Sequence, residues 1–215
     1  MKNTHIVYLG VFDKLIIMPP PVKSRAIDTL LKKPLIRSDE AKDMGISTSL
    51  LSHYVKSGRL RRVGRGLYVR TDLAPQVDFE WEEMVYSVLS IPNGVVCYTT
   101  ALILHGLTDE IARQYWVAVP HDTSIAKRPR VRLVRMRNHA LGISSIKLGN
   151  IDVPVYDLER AIVEAFRVTG PEVAIKALKQ AFGSERKIRP NVPKMLEYGR
   201  KLRVKIEPFL MMVTT

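Results

Sequence analysis

The sequence predicts an α+β protein: a small helical module with a β-hairpin, followed by a mixed α/β domain whose small sheet is flanked by helices. Three observations lead to this prediction. Helical periodicity with glycine-marked turns precedes two short strand-like segments. The composition then changes at TDLAPQVDFEWEE, where Pro75 marks a break. Beyond it, apolar strand-like stretches alternate with amphipathic helices. We therefore predict an N-terminal extension over 1–21, a first domain over 22–73 and a second over 78–215.

The charge is unevenly distributed along the chain. The 215 residues include 34 Lys and Arg against 21 Asp and Glu, which gives a net charge of +13 at pH 7. Residues 44–71 contain six basic side chains and no acid. Because protein surfaces normally mix both signs, this excess indicates a polyanionic partner: nucleic acid, or less often an anionic membrane surface.

Composition also excludes several classes of protein. With 46% hydrophobic and 26% charged residues, the chain has the balance of a globular protein rather than a disordered one. Its one cysteine, Cys97, cannot form an internal disulfide, and no Cys/His spacing fits zinc. We expect no metal, no cofactor and, since no apolar stretch approaches about 20 residues, no membrane span.

The first residues faintly resemble a signal peptide, but Asp13 and Lys14 interrupt the apolar run and no cleavage site follows. We therefore expect a cytoplasmic protein. The extension over 1–21 is either an extra helix packed on the first domain or an over-extended gene start with Met18 as the true initiator.

Three helices are predicted in the first domain. Each has a serine at its N-cap: Ser24 before RAIDTLLKK, Ser38 before DEAKDM and Ser47 before TSLLSHYVKS. Gly45 supplies the tight turn before the third helix, and Gly58 ends that helix. Apolar residues at helical spacing predict the buried faces, namely Ala26, Ile27, Leu30 and Leu31 in the first helix and Leu50, Leu51, Tyr54 and Val55 in the third.

The segment RLRRVGRGLYVR predicts two strands around Gly64-Arg65-Gly66, whose glycines suit a tight turn. Together with the helices, this order is that of a winged helix-turn-helix, in which the third helix reads base edges and the hairpin contacts phosphates. The predicted DNA-binding residues are Ser47, Thr48, Ser49, Ser52, His53 and Lys56 of the third helix, then Arg59, and then Arg61, Arg62 and Arg65 at the hairpin tip.

A less specific interpretation stays open for this module. Helix-turn-helix shapes also serve protein–protein contacts, a charged hairpin can be a solvated edge, and His53 can be an ordinary exposed helix residue.

The second domain is predicted to begin with a helix over FEWEEMVYSVLSI, whose buried residues are Phe79, Met84, Val88 and Leu89. A short apolar stretch, VVCY, precedes a helix that begins near Thr99. Strands are predicted at QYWVAVP and PRVRLVRMR, with a third candidate at IKLGNIDVPVY. Asp157 then caps the helix LERAIVEAFRV, Pro171 opens the helix EVAIKALKQAF, and helical segments follow at PKMLEYGRKLRV and IEPFLMMV.

A second basic segment lies within a stretch, residues 123–151, that has no acid. Strand periodicity places Arg130 and Arg132 on one face and Arg135 and Arg137 on the other. The segment is interpreted as a nucleic-acid patch, as a docking face for an acidic partner, or as a charged edge strand that resists aggregation. Its basic residues are Lys127, Arg128, Arg130, Arg132, Arg135 and Arg137.

The sequence contains only weak signals of a catalytic site. The run PVYDLER loosely resembles a nuclease carboxylate pair, but the lysine expected beside the acid is missing and Asp157 is needed as a helix cap. Glu159 and Glu164 lie five residues apart on one helix and do not share a face. No phosphate-binding loop or dinucleotide fingerprint occurs. We predict that the chain is not an enzyme; the alternative is a metal-dependent nuclease acting through Asp152, Asp157 and Glu159.

The ordered set of segments resembles a known family. GISTSLLSHYVKSGRLRRVGRGLY, followed by YTTALILHGL, QYWVAVP, PRVRLVRMR and VPVYDLERAIVEAF, is similar to the AbiEi antitoxins of type IV toxin–antitoxin systems over roughly residues 24–205. The most specific pieces are the first run and the pair ALILHGLT and DLERAIVEAF.

This resemblance implies a two-part protein. Its N-terminal winged domain would bind repeats in its own promoter and repress the operon, and its C-terminal domain would oppose a nucleotidyltransferase toxin. We thus expect a monomer or weak dimer that binds inverted repeats of double-stranded DNA cooperatively. The alternative from a different class is an interaction module that docks an acidic protein.

Overall fold

The computed structural model of the protein describes residues 22–186 and 188–214, a mixed α+β structure with small sheets and helices. The predicted extension over 1–21, with both of its interpretations, lies outside the described residues. The chain divides into two compact units, of which one ends at Pro75 and the other begins at Gln76.

Over residues 22–75, the first unit combines three helices with a three-stranded antiparallel sheet of order β1-β3-β2. Fully or almost fully buried side chains, among them Ile27, Leu30, Ile36 and Leu51, join the helices to the sheet in one core. The elements are α1 (Val22–Leu30), β1 (Leu35–Arg37), α2 (Ser38–Asp43), α3 (Thr48–Lys56), β2 (Leu60–Gly64) and β3 (Leu67–Arg70).

The predicted helix caps and glycine turns of this unit are confirmed only in part. Ser47 caps α3, with its Oγ accepting from the Leu50 N–H at 3.3 Å, and both Gly45 and Gly58 have positive φ. The cap predictions for Ser24 and Ser38 are wrong. Helix α1 already begins at Val22, and Ser38 is the first residue of α2, because β1 runs directly into that helix through extended Arg37.

The second unit is built on a five-stranded sheet of order β6-β5-β4-β8-β7. The pairs β4–β8 and β5–β6 are parallel, whereas β4–β5 and β7–β8 are antiparallel. The elements are α4 (Phe79–Leu89), β4 (Val95–Val96), α5 (Tyr98–Leu104), β5 (Tyr115–Pro120), β6 (Val131–Met136), β7 (Ile143–Leu148), β8 (Ile151–Tyr156), α6 (Leu158–Val168), α7 (Pro171–Phe182), α8 (Val192–Leu202) and α9 (Glu207–Thr214).

Two expectations for this unit need correction. The segment IKLGNIDVPVY contributes to two strands, β7 and β8, because Gly149 adopts φ +61° and turns the chain there. Phe79 is not buried but 92% exposed. It is the first residue of α4, and the buried residues of that helix begin only at Met84, more than a turn further along. Leu89 is half-buried.

None of the helices in the described part of the chain is both long and apolar enough to cross a membrane.

Candidate nucleic-acid interface

Helix α3 presents a polar face that its apolar residues orient. Leu51 is fully buried, and Leu50, Tyr54 and Val55 pack partly buried against the same core. The opposite side of the helix is exposed, as the helical periodicity predicts. Each of its side chains has another member three or four residues away, which places them in one stripe: Thr48, Ser49, Ser52, His53 and Lys56.

Two of the predicted contact residues already have local roles. Ser47 uses its Oγ as the helix cap, and the Ser52 hydroxyl donates to the Thr48 carbonyl at 3.0 Å. The Thr48, Ser49, His53 and Lys56 side chains therefore carry the exposed hydrogen-bonding capacity of the stripe.

The hairpin of β2 and β3 places its arginines differently from the prediction. Its turn is only Arg65-Gly66, and Gly66 has φ +68°. Arg65 therefore lies at the tip, but Arg61 and Arg62 are exposed residues of strand β2. Because neighbouring residues on a strand point to opposite faces, Arg61 and Arg62 lie on different sides of the sheet.

The hairpin turn is held against the start of α2. The Ser38 N–H donates to the Gly66 carbonyl at 2.8 Å. A Cβ at Gly66 would lie 2.5 Å from the Ser38 Oγ, so the close approach also requires glycine. These contacts fix the position of Arg65 next to the helices.

The surface formed by α3 and the hairpin is electropositive. Three described cations elsewhere in the first unit are paired with carboxylates: Lys33 with Glu40, Arg37 with Asp39 and Arg70 with Asp72. Within residues 22–186 and 188–214, four exposed cations of this surface have no carboxylate partner: Lys56, Arg59, Arg62 and Arg65.

The side chains of the second basic segment have different surroundings. Arg130 precedes β6 with φ +53°, so strand alternation does not apply to it, and its guanidinium pairs with Glu83. Arg132 stacks over Trp116, 4.3 Å from the ring centroid. Arg135 donates to the Thr123 carbonyl at 3.1 Å.

Three further basic residues of this segment, Lys127, Arg128 and Arg137, lie outside β6, as Arg130 does. Arg128 donates to the Ala126 carbonyl at 3.0 Å, and both Lys127 and Arg137 are exposed. Strand β6 is the edge of its sheet, as the interpretation of a charged edge strand requires.

The carboxylates considered for a nuclease are only partly brought together. Asp157 caps α6, as predicted, with its Oδ1 accepting from the Arg160 N–H at 2.9 Å. Lys194 bridges Asp157 and Glu159, with its Nζ 3.0 and 3.1 Å from their oxygens. Asp152 is exposed on β8 opposite Lys147. In the described parts of the chain, no group of three or more His, Cys, Asp or Glu could hold a metal ion.

Asp157, Glu159, Lys194 and Tyr198 form a cluster in which hydrogen bonds and charge shift the pKa values of several members. Burial opposes the charge of Lys194, but hydrogen bonds to Asp157 and Glu159 outweigh it and raise the lysine pKa. Burial and the hydrogen bond donated to Asp157 raise the pKa of Tyr198 to about 12. Burial works to raise the pKa of Glu159, but the Asn191 N–H and Lys194 outweigh it and lower that pKa. Sequence reasoning missed Lys194, which lies 35 residues beyond Glu159 with no local signal.

This arrangement predicts a pH-dependent effect of Glu159→Gln. Since the folded pKa lies below the ordinary value of 4.5, the carboxylate stabilises the fold above that pH and loses its contribution as the pH falls through the folded pKa. We expect the variant to lose about 1–2 kcal/mol of unfolding free energy at neutral pH. The difference from wild type should shrink below pH 4.5. Urea unfolding at several pH values measures this, with exposed Glu185→Gln as control; a difference independent of pH would contradict it.

The second unit also contains a buried ion pair on α6, Arg160 with Glu164, which sequence reasoning missed. Arg160 is fully buried in α6, stacks 3.4 Å from the Tyr156 ring centroid and donates to the Asn138 carbonyl at 2.8 Å. It also donates to Glu164 Oε1 at 3.0 and 3.1 Å. Glu164 Oε2 is buried with no hydrogen-bond partner, and burial raises the pKa of this carboxyl. The spacing of four residues between Arg160 and Glu164 is the one signal the sequence offered.

Comparisons with known proteins bear on the first unit above all. The family model described as "Transcriptional regulator, AbiEi antitoxin" matches residues 25–71, the segment that contains α3 and the hairpin. No curated protein matches. Among solved structures, the RV2827C protein from Mycobacterium tuberculosis is similar with 13% identity and a TM-score of 0.49, over 84% of this chain and 72% of that one. The predicted resemblance is confirmed by the family comparison: residues 25–71 match the AbiEi family of antitoxin transcriptional regulators.

Proposed function

We propose that the chain is a sequence-specific DNA-binding repressor of its own operon and the antitoxin of a type IV toxin–antitoxin system whose toxin is a nucleotidyltransferase. One observation carries the proposal: the residues that match the family model are the same residues that form an exposed polar helix face and an electropositive hairpin without carboxylates.

In this proposal the first unit is a winged helix-turn-helix. Helix α3 enters the major groove, where Thr48, Ser49, His53 and Lys56 reach base edges and discriminate sequence. The hairpin is the wing, and two of its arginines, Arg62 and Arg65, neutralise backbone phosphates beside the groove. Ser47 supports recognition indirectly, because its Oγ fixes the N-terminus of α3.

The partner on the DNA side is an inverted repeat upstream of the chain's own gene. A monomer or weak dimer binds each half-site, and two copies bind cooperatively when the half-sites are about one helical turn, or a multiple of it, apart.

The second unit carries the antitoxin role, and we propose that it acts by binding rather than by catalysis. Two of the three carboxylates that a nuclease would use are already engaged: Asp157 caps α6 and binds Tyr198 and Lys194, and Glu159 binds Lys194 and the Asn191 N–H. The third, Asp152, is exposed on β8 opposite Lys147.

The test is a fluorescence-anisotropy titration of the full chain against its upstream DNA at several salt concentrations, with a scrambled duplex of equal length as competitor. We expect binding that the scrambled duplex does not displace, and footprinting then locates the repeat. Equal binding to both duplexes that collapses with rising salt would contradict sequence-specific repression and leave a nonspecific basic protein.

A further inference from the structure

The second unit contains a concave basic cleft that the proposed DNA-binding surface does not include. It has a volume of about 660 Å³, within the roughly 300–1,000 Å³ typical of small-molecule sites. The end of β6 with the residues after it, one side of α6 and the end of α8 form its walls. Its cationic lining comprises Arg135, Arg137, Arg160, Arg167, Lys201 and Arg203.

Most of this positive charge is not neutralised. Arg160 pairs with Glu164, and Lys201 pairs with Glu197 at 2.6 Å. The four other guanidinium groups have no carboxylate partner among residues 22–186 and 188–214: Arg135, Arg137, Arg167 and Arg203.

Two of these four are oriented by neutral groups. Arg135 donates to the Thr123 carbonyl at 3.1 Å, and Arg167 donates to the Tyr98 hydroxyl at 3.3 Å. Such contacts restrict the side chains without cancelling their charge, so the cleft is prepared for an anion.

Arg203 occupies an unfavourable backbone conformation. It ends α8 with φ +57° and ψ +44°, the left-handed region in which helices usually place Gly or Asn because a Cβ is disfavoured there. An arginine at this position is not explained by helix termination, but it does add a guanidinium to the cleft.

We propose that this cleft binds a small polyanion with two or three adjacent phosphate groups, the chemistry shared by inorganic polyphosphates and by nucleoside di- and triphosphates. Guanidinium groups bind phosphate oxygens with paired, charge-assisted hydrogen bonds, and four uncompensated groups around one concavity exceed what a single phosphate requires. A single half-open cleft of this volume fits a short ligand better than the extended groove that tracks a nucleic-acid backbone.

Calorimetric titration of the full chain with sodium tripolyphosphate, at about 0.15 M ionic strength, tests the proposal. We expect one saturable site, weakened about tenfold in Arg203→Gly and in Arg137→Gln. Arg203→Gly should not lower the thermal unfolding midpoint, because glycine suits the left-handed conformation.

Arg200→Gln, on the same helix but outside the cleft, removes the same charge and should change affinity by less than about twofold. Parallel titrations with a nucleoside triphosphate and with inorganic phosphate separate a contribution of the base from that of the phosphate chain.

Three results would overturn the proposal. The first is absence of saturable tripolyphosphate binding by the wild type. The second is equal weakening by Arg203→Gly and Arg200→Gln, which would indicate a general charge effect. The third is tighter binding of a single-stranded oligonucleotide that Arg203→Gly abolishes, since this would identify a nucleic-acid surface. The cleft variants leave residues 25–71 intact and should bind upstream DNA like the wild type, so this proposal and the proposed repressor fail or succeed separately.

Discussion

Arg160→Met is expected to destabilise the second unit by about 3–5 kcal/mol, because it leaves the Glu164 carboxylate and two main-chain carbonyls without their common donor. The Arg160 side chain is fully buried, and its guanidinium makes two kinds of interaction. It neutralises Glu164, and it donates to the carbonyls of Asn138 and Leu141 in the turn before β7. A methionine fills a similar volume but satisfies none of these acceptors.

Glu164→Gln is expected to cost much less, about 1–2 kcal/mol, although it breaks the same pair. Burial raises the pKa of Glu164, so the fold already disfavours its charged form. Its Oε2 has no hydrogen-bond partner to lose, and a glutamine keeps an oxygen that can accept from Arg160. The stability of this region therefore depends more on the hydrogen bonds and aromatic stacking of Arg160 than on the charge of Glu164.

Urea unfolding followed by tryptophan fluorescence measures both effects. The two tryptophans, Trp81 and Trp116, both belong to the unit that begins at Gln76, so the signal reports on that unit. Equal losses in Arg160→Met and Glu164→Gln would contradict the asymmetry and assign the stabilisation to charge pairing alone.

The sequence predicted elements wherever a local physical signal determines them. The third helix was placed correctly because Ser47, the spacing of Leu51 and Val55, and Gly58 all indicate the same boundaries. Strand β1 was missed because three residues are too few for an alternating pattern. Phe79 is exposed although it is apolar, because it lies in the first turn of α4, ahead of the buried part of the helix.

The candidate sites depend on contacts between distant segments, and a single sequence does not encode these as patterns. The polar stripe of α3 was predictable because it lies within one helix. Lys194 reaches Asp157 and Glu159 from α8, and Arg203 lines the same cleft as Arg135 from a segment 68 residues away. Only the folded sheet and its flanking helices bring these groups together.

In the hairpin, Arg62→Gln and Arg65→Gln are each expected to lower the salt dependence of DNA binding, while Arg61→Gln leaves it nearly unchanged. Arg62 pairs across the strands with Tyr68, a member of the core that includes the helices, so strand alternation places Arg62 on the side of the sheet that carries α3. Arg65 lies at the tip.

Each lost phosphate contact reduces the slope of log affinity against log salt by about 0.9, so Arg62→Gln with Arg65→Gln should reduce it by about 1.8. Affinity of the double variant for the upstream DNA should fall by about 10²- to 10⁴-fold at moderate salt, since each charge-assisted hydrogen bond contributes about 1.5–3 kcal/mol. His53→Ala should instead change which base pair is preferred, by about 1–3 kcal/mol, and leave the slope unaltered.

A double variant of exposed cations in the second unit, Lys179→Gln with Arg189→Gln, removes the same net charge and serves as the matched control. Anisotropy titrations of all variants over a range of salt concentrations provide the slopes. A similar reduction in the control would show that overall charge, rather than the hairpin, determines the slope. A reduction in Arg61→Gln equal to that in Arg62→Gln would show that both faces of β2 contact DNA, which a wing lying beside a groove on one face of its sheet does not allow.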